Sequence, residues 1–193
     1  MAVIHQLLAA FTSGSVATST WNPADKASGI TLSDSNHVAV ADVGEGGVRG
    51  TLGRSSGKWH LEFVVDTDAT VVGVGLAKAA QSLSSSAYIG DSSNSFAWYN
   101  NQTGWSANGS LLSSGTLTSG AVVGDVIALE VDLDNLEFWV ALNDGDWNGT
   151  LNGDPATGSN FFDMTNGSLS AGMYYPAAGL FTGGGVQIGR AHV

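Results

Sequence analysis

VIALEVDLDNLEFWVAL, residues 126–142, alternates apolar and polar side chains along two runs that Asp134-Asn135 separates. Such alternation places one set of side chains on one face of a β-strand, and a two-residue break between the runs predicts a tight hairpin. One face of this hairpin carries eight apolar residues: Ile127, Leu129, Val131, Leu133, Leu136, Phe138, Val140 and Leu142. Because burying each such side chain contributes about 1.5–3 kcal/mol, the hairpin is predicted to be central to the stability of the fold.

Further strands are predicted on both sides of this hairpin. KWHLEFVVD, Lys58–Asp66, alternates in the same way, and Thr70–Ala77 reads as a strand whose glycines allow a backbone or a ring to lie close. Ser95–Asn100 predicts another strand, whereas the serine-rich stretches Gln81–Ser86 and Ser106–Gly120 predict loops. Asn-Gly pairs predict turns at 108–109, 148–149, 152–153 and 166–167. Together these patterns predict an all-β protein, an antiparallel β-sandwich of many short strands.

Composition excludes several classes of function. The 193 residues suit one domain, and they include 27 glycines but no cysteine, so thiol nucleophiles, iron–sulfur clusters and thiolate zinc sites are excluded. Six Lys and Arg against 17 Asp and Glu give a formal charge of -11, which repels nucleic acid and anionic membranes. No apolar run reaches the 18 residues that a membrane-spanning helix requires. We therefore expect no nucleic-acid or membrane partner and no cofactor.

The first residues, MAVIHQLLAAF, have a different period. Their apolar side chains recur at helical spacing and form one stripe: Val3, Ile4, Leu7, Leu8 and Phe11. A cleaved signal peptide is an alternative, although no Lys or Arg precedes the stripe. A helix this short needs a surface on which to bury its stripe, either on its own domain or on another chain. The sequence thus divides into a short N-terminal helical or docking segment, residues 1–17, and a β-domain, residues 18–193.

Five blocks in the β-domain resemble, in order and spacing, those of a SPRY (B30.2-like) domain. They are SGKWHLEFVV (56–65), VVGVGLA (71–77), YIGDSSNSFAWYNNQTGW (88–105), GDVIALEVDLDNLEFWVALNDGDW (124–147) and YYPAAGLF (174–181). The resemblance extends from Thr18 to Gly189, with Ala128 and Leu129 at positions where the family often has glycine or small residues. TWNPADKASGITLS (20–33) and GGVRGTLGRSSGKW (46–59) resemble the opening of SPRY domains in bacteriophage and bacterial proteins.

This resemblance implies a bent sandwich of two antiparallel sheets, similar to the concanavalin-like jelly rolls. It also implies a recognition module with no enzymatic activity, which binds its partner through loops at one end. With the phage-like opening, it leads us to expect a virion protein, either a capsid decoration protein or a component of the tail or its fibre. Other virion proteins are then the expected partners, with self-association into a homo-oligomer as a further expectation.

Aromatic residues near a predicted loop give a second candidate site. Tyr99 and Trp105 flank Asn101 and Gln102, which combines flat apolar rings with amide donors and acceptors. Such a set suits either a sugar or a protein hot spot. A glycan-binding adhesin is therefore the alternative to a protein-binding module.

The strand in the hairpin also carries a row of carboxylates. Glu130, Asp132 and Asp134 are two residues apart, and the two-residue period of a β-strand predicts that all three lie on one face. The row resembles the acidic strand of a glycoside hydrolase family with a concanavalin-like fold, where paired carboxylates cleave the glycosidic bond. Aspartate at the third position shortens the acid by a methylene, which makes a glycosidase the less favoured alternative.

Two other motifs lack the context that their chemistry needs. DGDWNG, residues 144–149, matches the start of an EF-hand loop, but Pro155 occupies the position of the bidentate glutamate, and only a different geometry using Asp154 is left open. Gly53-Arg54-Ser55-Ser56-Gly57 matches a nucleophile elbow, yet a strand follows where a helix is needed. The four histidines have no metal-binding spacing, and so no metal site is expected.

Overall fold

The structure, a computed structural model, describes residues 19–67, 71–102, 104–112 and 120–192, with the backbone alone for 190–192. Within these residues the chain forms fourteen strands in two seven-stranded antiparallel sheets and two short 3-10 helices, Gly149–Leu151 and Met164–Gly167. The predicted antiparallel β-sandwich is confirmed. The predicted docking segment, with Val3, Ile4, Leu7, Leu8 and Phe11, lies outside the described residues.

Strands are numbered in chain order, and each sheet mixes early and late ones. Sheet A has, from edge to edge, β1 (Trp21–Lys26), β4 (Gly46–Gly50), β13 (Tyr175–Leu180), β6 (Val72–Ala77), β7 (Ser95–Tyr99), β8 (Trp105–Ala107) and β9 (Ser110–Leu112). Sheet B has β12 (Phe162–Asp163), β11 (Glu137–Leu142), β10 (Val126–Asp132), β5 (Lys58–Thr67), β14 (Gly185–His192), β3 (Val38–Ala41) and β2 (Ile30–Ser33).

The predicted hairpin is β10–β11, but its connection is longer than predicted. Asp132 pairs with Glu137, so four residues, 133–136, connect the strands instead of two. The Asp132 carboxylate accepts hydrogen bonds from the backbone N–H groups of Asp134 and Asn135 at 3.0 and 3.1 Å, and Leu136 has a positive φ of 57°. The side chain of Asp132 therefore shapes a wider turn.

Side chains from the inner faces of both sheets form the core. On β5 the predicted inward residues Trp59, Leu61, Phe63 and Val65 are all buried. The eight apolar residues of the β10–β11 hairpin also face this core, with Leu136 and Leu142 partly buried at its margin. Alternation in the sequence thus identified the inner faces of these strands correctly.

The stretch predicted as a loop at 106–120 contains two strands. β8 and β9 form a hairpin around Asn108-Gly109, whose φ values of 50° and 71° are those of a two-residue turn between antiparallel strands. The strands are only three residues long, too short for alternation to reveal them. Asn108-Gly109 was correctly predicted as a turn.

Irregular segments cover the outer faces of both sheets. The 78–94 segment places Leu83 and Ile89 on the outer side of sheet A, where they pack with Tyr99 and Ala177. The 143–161 segment lies over sheet B, and its Ser159 carbonyl accepts a hydrogen bond from Trp139 Nε1 at 2.9 Å. Outward-facing residues in the middle of either sheet are therefore buried wherever these segments lie over them.

Candidate functional site

Arg49 on β4 fixes the 78–94 segment to sheet A. Its guanidinium forms a bidentate ion pair with Asp25, with Nε and Nη2 each 2.7 Å from a carboxylate oxygen. The remaining nitrogen, Nη1, donates to the backbone carbonyls of Lys78 and Gln81 at 3.1 and 2.7 Å. The planar fork of arginine is suited to such a set of acceptors, and it ties the start of the segment to β1 and β4.

Gln81 organises the inside of the same segment. Its buried amide nitrogen donates to the Asp91 carboxylate at 2.6 Å, and its amide oxygen accepts from the hydroxyls of Ser92 and Ser95 at 2.6 and 2.8 Å. A buried polar network holds one conformation when its members find partners. The 78–94 segment is therefore an irregular loop with a fixed shape.

The β3–β4 loop, residues 42–45, is held on two sides. The Gly29 carbonyl accepts a hydrogen bond from the Asp42 N–H at 3.1 Å, and a Cβ atom at Gly29 would collide with the Val43 carbonyl oxygen. From the other side, the Thr182 hydroxyl donates to the Gly44 carbonyl at 2.8 Å. The loop presents Val43 to solvent with 77% of its surface exposed.

An open groove of about 780 Å³ lies between these elements. We define the groove by its three walls: residues 26–29 at the β1–β2 turn, residues 43–45, and residues 83–85 of the 78–94 segment. The Gly47 N–H donates to the Leu83 carbonyl at 2.9 Å, which fixes one wall to β4. The Lys26 ammonium donates to the Ile30 carbonyl at 2.6 Å, which fixes the wall formed by residues 26–29. The groove is therefore preformed and has an exposed aliphatic side chain at its mouth.

Acidic side chains flank that aliphatic residue. Asp42 and Glu45 are exposed on either side of Val43, and within the described part of the chain neither carboxylate accepts a hydrogen bond or forms an ion pair. Sequence reasoning missed this site because none of these residues belongs to a chemical motif. The sequence signal that could have indicated the site is the glycine-rich run Gly44-Glu45-Gly46-Gly47. Side chains at positions 46 and 47 would collide with Ala27 and Leu83, so these glycines allow the other two walls to lie close to β4.

Both rings of the predicted 99–105 site are buried. Tyr99 donates its hydroxyl to the Ile89 carbonyl at 2.9 Å, and burial raises the pKa of this phenol above its usual value. Trp105 is 2% exposed, and its ring packs edge-on against Phe138, 5.0 Å between centroids. In this structure neither ring offers a face on which a ligand could stack.

The two amides of that predicted site do not act with the rings. Asn101 is exposed in the β7–β8 turn, and the Gln102 side-chain oxygen accepts a hydrogen bond from the Ser106 hydroxyl at 3.0 Å. Trp98 and Tyr99 point to opposite faces of β7, and both are buried, because Trp98 packs in the core between the sheets and the 78–94 segment covers Tyr99. The predicted residues therefore form no common surface.

The row of carboxylates ends where the strand ends. β10 stops at Asp132, so Asp134 lies in the turn, where it accepts a hydrogen bond from the Gly57 N–H at 3.1 Å. Glu130 accepts a hydrogen bond from His60 Nδ1 at 2.8 Å, and Asp132 holds the turn. The expectation of three carboxylates on one strand face is wrong, and each of these carboxylates accepts a hydrogen bond from another residue of the fold.

The loop considered for calcium is built from its own hydrogen bonds. The Asp154 carboxylate accepts from the Ala156 N–H and the Thr157 hydroxyl, both at 2.9 Å, and these bonds lower its pKa below the usual value. In the part of the chain that the structure describes, no three His, Asp or Glu residues are arranged to hold a metal ion. Nor does any described helix have the length and apolar character needed to cross a bilayer.

His60 lies between two carboxylates on the outer face of sheet B. Its Nδ1 is 2.8 Å from Glu130 and its Nε2 is 3.3 Å from Glu62. Burial opposes protonation, but the hydrogen bonds and negative charges of the two glutamates outweigh it, and the pKa of His60 is raised above 6.5. Such a group stabilises the fold fully below its unfolded-state pKa and ceases to do so as the pH rises through the folded-state value.

Replacing His60 by glutamine should therefore cost more stability at pH 5.5 than at pH 8.5. The protonated ring of the wild type forms ion pairs with both glutamates at the lower pH, and a neutral amide cannot replace them. Urea denaturation of wild type and His60→Gln at both pH values measures the difference. A loss that is equal at the two pH values, or larger at pH 8.5, would contradict the raised pKa.

Comparison with known proteins identifies the fold. No family model matches the sequence, and the search of curated proteins by sequence found no match. Among solved structures, the SPRY domain of human HERC1 superposes with a TM-score of 0.67 at 15% identity, over 88% of this chain and 97% of that one.

Two further structures agree with this match. The TRIM65 PSpry domain has a TM-score of 0.62 at 14% identity, over 90% of this chain and 92% of that one. Stonustoxin has a TM-score of 0.65 at 17% identity, over 89% of this chain but only 27% of the toxin. Two seven-stranded antiparallel sheets in this arrangement, matched over nearly the whole chain, show that the protein has the fold of a SPRY domain.

Proposed function

We propose that this protein is a non-enzymatic recognition module that binds another protein through the groove. The observation that carries the proposal is Val43, an aliphatic side chain 77% exposed at the mouth of a preformed groove. Contiguous apolar surface rimmed by polar groups marks interaction sites, and Val43 lines the groove together with the aliphatic side chains of Ala27 and Leu83. The SPRY fold supports the proposal, because partner binding through loops at one end is what the resemblance implies.

Rigid walls favour binding because little order has to be created when the partner arrives. The 83–85 wall is fixed through Arg49 and Gln81, and the 43–45 wall through Gly29 and Thr182. Association costs about 0.5–1.5 kcal/mol for each mobile side chain that it immobilises, and a preformed surface avoids much of this cost. The proposal therefore places recognition on loops whose shape the fold already determines.

Substitution of Val43 by aspartate should abolish partner binding and leave the fold intact. The new carboxylate would have to be desolvated at the centre of the interface, whereas at an exposed position it costs the free protein little. Leu151, 43% exposed on the 143–161 segment over the other sheet, provides the matched control, Leu151→Asp.

The measurement is quantitative affinity capture with wild type and both variants, together with thermal denaturation. A partner retained by wild type and Leu151→Asp, and lost at least tenfold with Val43→Asp, is the expected result. Equal retention by the two variants would show that the groove is not the binding site.

We further propose that the module is located in a virion, as a capsid decoration protein or a tail or fibre component bound to other virion proteins. The phage-like opening of the sequence supports this placement, and so does the apolar stripe of the N-terminal segment: Val3, Ile4, Leu7, Leu8 and Phe11. Self-association into a homo-oligomer is a further part of the proposal.

Deletion of residues 1–12 tests the N-terminal docking segment. We expect a folded, soluble sandwich that no longer joins the particle, because the stripe that docks is removed and the core is not. The readouts are circular dichroism of the purified variant and its copy number in purified particles. Unchanged incorporation would contradict the docking proposal.

Glycan binding is the alternative function. The rings that a glycan would stack on are buried, Trp105 in the core and Tyr99 under the 78–94 segment, so that Asn101 and Gln102 are the remaining residues of that site. A glycan-array hit that disappears with Asn101→Ala would favour this alternative. Glycosidase activity, the least favoured function, would appear as β-glucan turnover lost in Glu130→Gln.

A further inference from the structure

We propose that the groove binds an extended segment that carries a lysine or arginine next to an aliphatic residue. This inference rests on the proposed function, because it specifies the partner of the same groove. Its basis is the combination of one exposed aliphatic side chain, Val43, with two carboxylates that form no ion pair in the described part of the chain: Glu45 in the same wall and Asp42 directly before that wall.

Aliphatic side chains from each wall define the apolar part of the groove. Ala27, Val43 and Leu83 belong to three different segments of the chain and all line it. Ala27 and Leu83 are at the limit of burial, whereas Val43 is exposed. These side chains are small or branched, and among the described residues no aromatic ring lines the groove. The groove therefore offers contact to an aliphatic side chain of the partner, and it offers no ring on which an aromatic one could stack.

The carboxylates next to Val43 supply the charge preference. Asp42 and Glu45 are solvated, and in the described part of the chain no cation pairs with either of them. Lys26 lines the groove too, but its ammonium is held by the Ile30 carbonyl at 2.6 Å. Two carboxylates against one cation leave the site with excess negative charge, and a basic side chain of the partner would complement it.

The long-range field acts in the same direction. A formal charge of -11 attracts basic segments and repels acidic ones before contact is made. The sign of the local charge at Val43 therefore agrees with that of the whole chain. An acidic or uncharged partner would gain nothing from either.

The shape of the groove favours an extended chain. It is open along its length, and its walls are turns and loops whose shape the surrounding hydrogen bonds fix, so it cannot close around a bulky element. The exposed residues Ser28 and Ser85 place hydroxyl groups along it, which can pair with the backbone of an extended partner. A strand-like segment that alternates a buried aliphatic and an exposed basic side chain meets both requirements.

Selection from a phage-displayed library of random dodecapeptides tests this inference on the full chain. We expect the enriched peptides to carry Lys or Arg within two positions of Val, Ile or Leu. Affinity of a synthetic peptide with the enriched sequence is then measured by fluorescence polarisation for wild type and two charge-neutralised variants. The first is Asp42→Asn/Glu45→Gln, and the matched control is Asp144→Asn/Asp146→Asn on the opposite side of the sandwich.

The groove variant should weaken binding by about fivefold, since each exposed ion pair contributes only modestly, and the control should stay within about twofold of wild type. Equal weakening by both variants would mean attraction to net charge alone, and would overturn the inference. Peptides without a basic residue that still require Val43 would also overturn it while leaving the proposed function intact. Peptides that bind the neutral variant Val43→Ser as well as wild type, or no enrichment at all, would count against the groove itself.

Discussion

Trp105→Ala should lower the free energy of unfolding by about 3–5 kcal/mol, the cost typical of removing a buried tryptophan. Its ring is one of four that form an aromatic cluster between the sheets: Phe96, Trp105, Phe138 and Phe162. Phe96 and Phe138 stack at 4.3 Å in this cluster, so the surrounding rings have little freedom to fill the cavity. A ring on a ligand-binding loop would instead have little effect on stability.

Urea denaturation of Trp105→Ala, with Leu111→Ala as the control, measures this effect. Leu111 lies on the neighbouring strand β9 but is about half exposed, so its truncation should cost less than about 1 kcal/mol. A Trp105→Ala protein as stable as wild type would mean that the ring is accessible, and would restore it as a candidate for ligand stacking.

Arg49→Met should cost about 2–4 kcal/mol and release the 78–94 segment. The substitution removes the bidentate pair with Asp25 and both hydrogen bonds to the carbonyls of Lys78 and Gln81. Breaking a buried ion pair typically costs about 3–5 kcal/mol. The cost expected here is about 1 kcal/mol lower, because the Asp25 side chain is 36% exposed and its carboxylate remains solvated in the variant. We expect the substitution to lower the stability of the whole domain and also to make the 78–94 segment more mobile, since the segment loses its attachment to β4.

Thermal denaturation and limited proteolysis separate the two effects. We expect a lower melting temperature and new cleavage within residues 78–94, and Arg54→Met serves as the control. The half-buried Arg54 side chain lies 5.9 Å from the centroid of the Trp59 ring, and among the described residues it forms no ion pair or hydrogen bond to the 78–94 segment. Unchanged proteolysis of the Arg49→Met protein would contradict the role assigned to this residue.

The sequence predicted best what depends on a local period. The inward face of β5, with Trp59 and Phe63, follows from alternation alone, because the core fills one side of the strand continuously. Close contacts at glycines in β6 were predicted as well. Positions for a Cβ atom at Gly73 and Gly75 are taken by the Tyr99 ring and the Phe96 carbonyl.

The candidate site could not be predicted in this way, because it depends on contacts distant in sequence. Arg49 reaches carbonyls about 30 residues further along the chain, at Lys78 and Gln81. No period or motif in the sequence predicts such a contact. The burial of Tyr99 on the outer face of sheet A could not be predicted either, because it depends on the 78–94 segment that Arg49 holds in place. Alternation of apolar and polar residues predicts a strand with one buried face, whereas sheet A has a second apolar layer on its outer face.

Hydrogen exchange of individual amides is the most direct test of the central claim, that an irregular segment is held rigidly enough to form a preorganised groove. The amides of Gly47 and Gly90 donate to the Leu83 carbonyl and the Ser95 hydroxyl at 2.9 and 2.6 Å. We predict that both exchange about 100-fold or more slowly than an unstructured chain, in the range of the β6 amides. Exchange of both at the unprotected rate while β6 stays protected would show that the walls of the groove are not preformed, and would contradict the account.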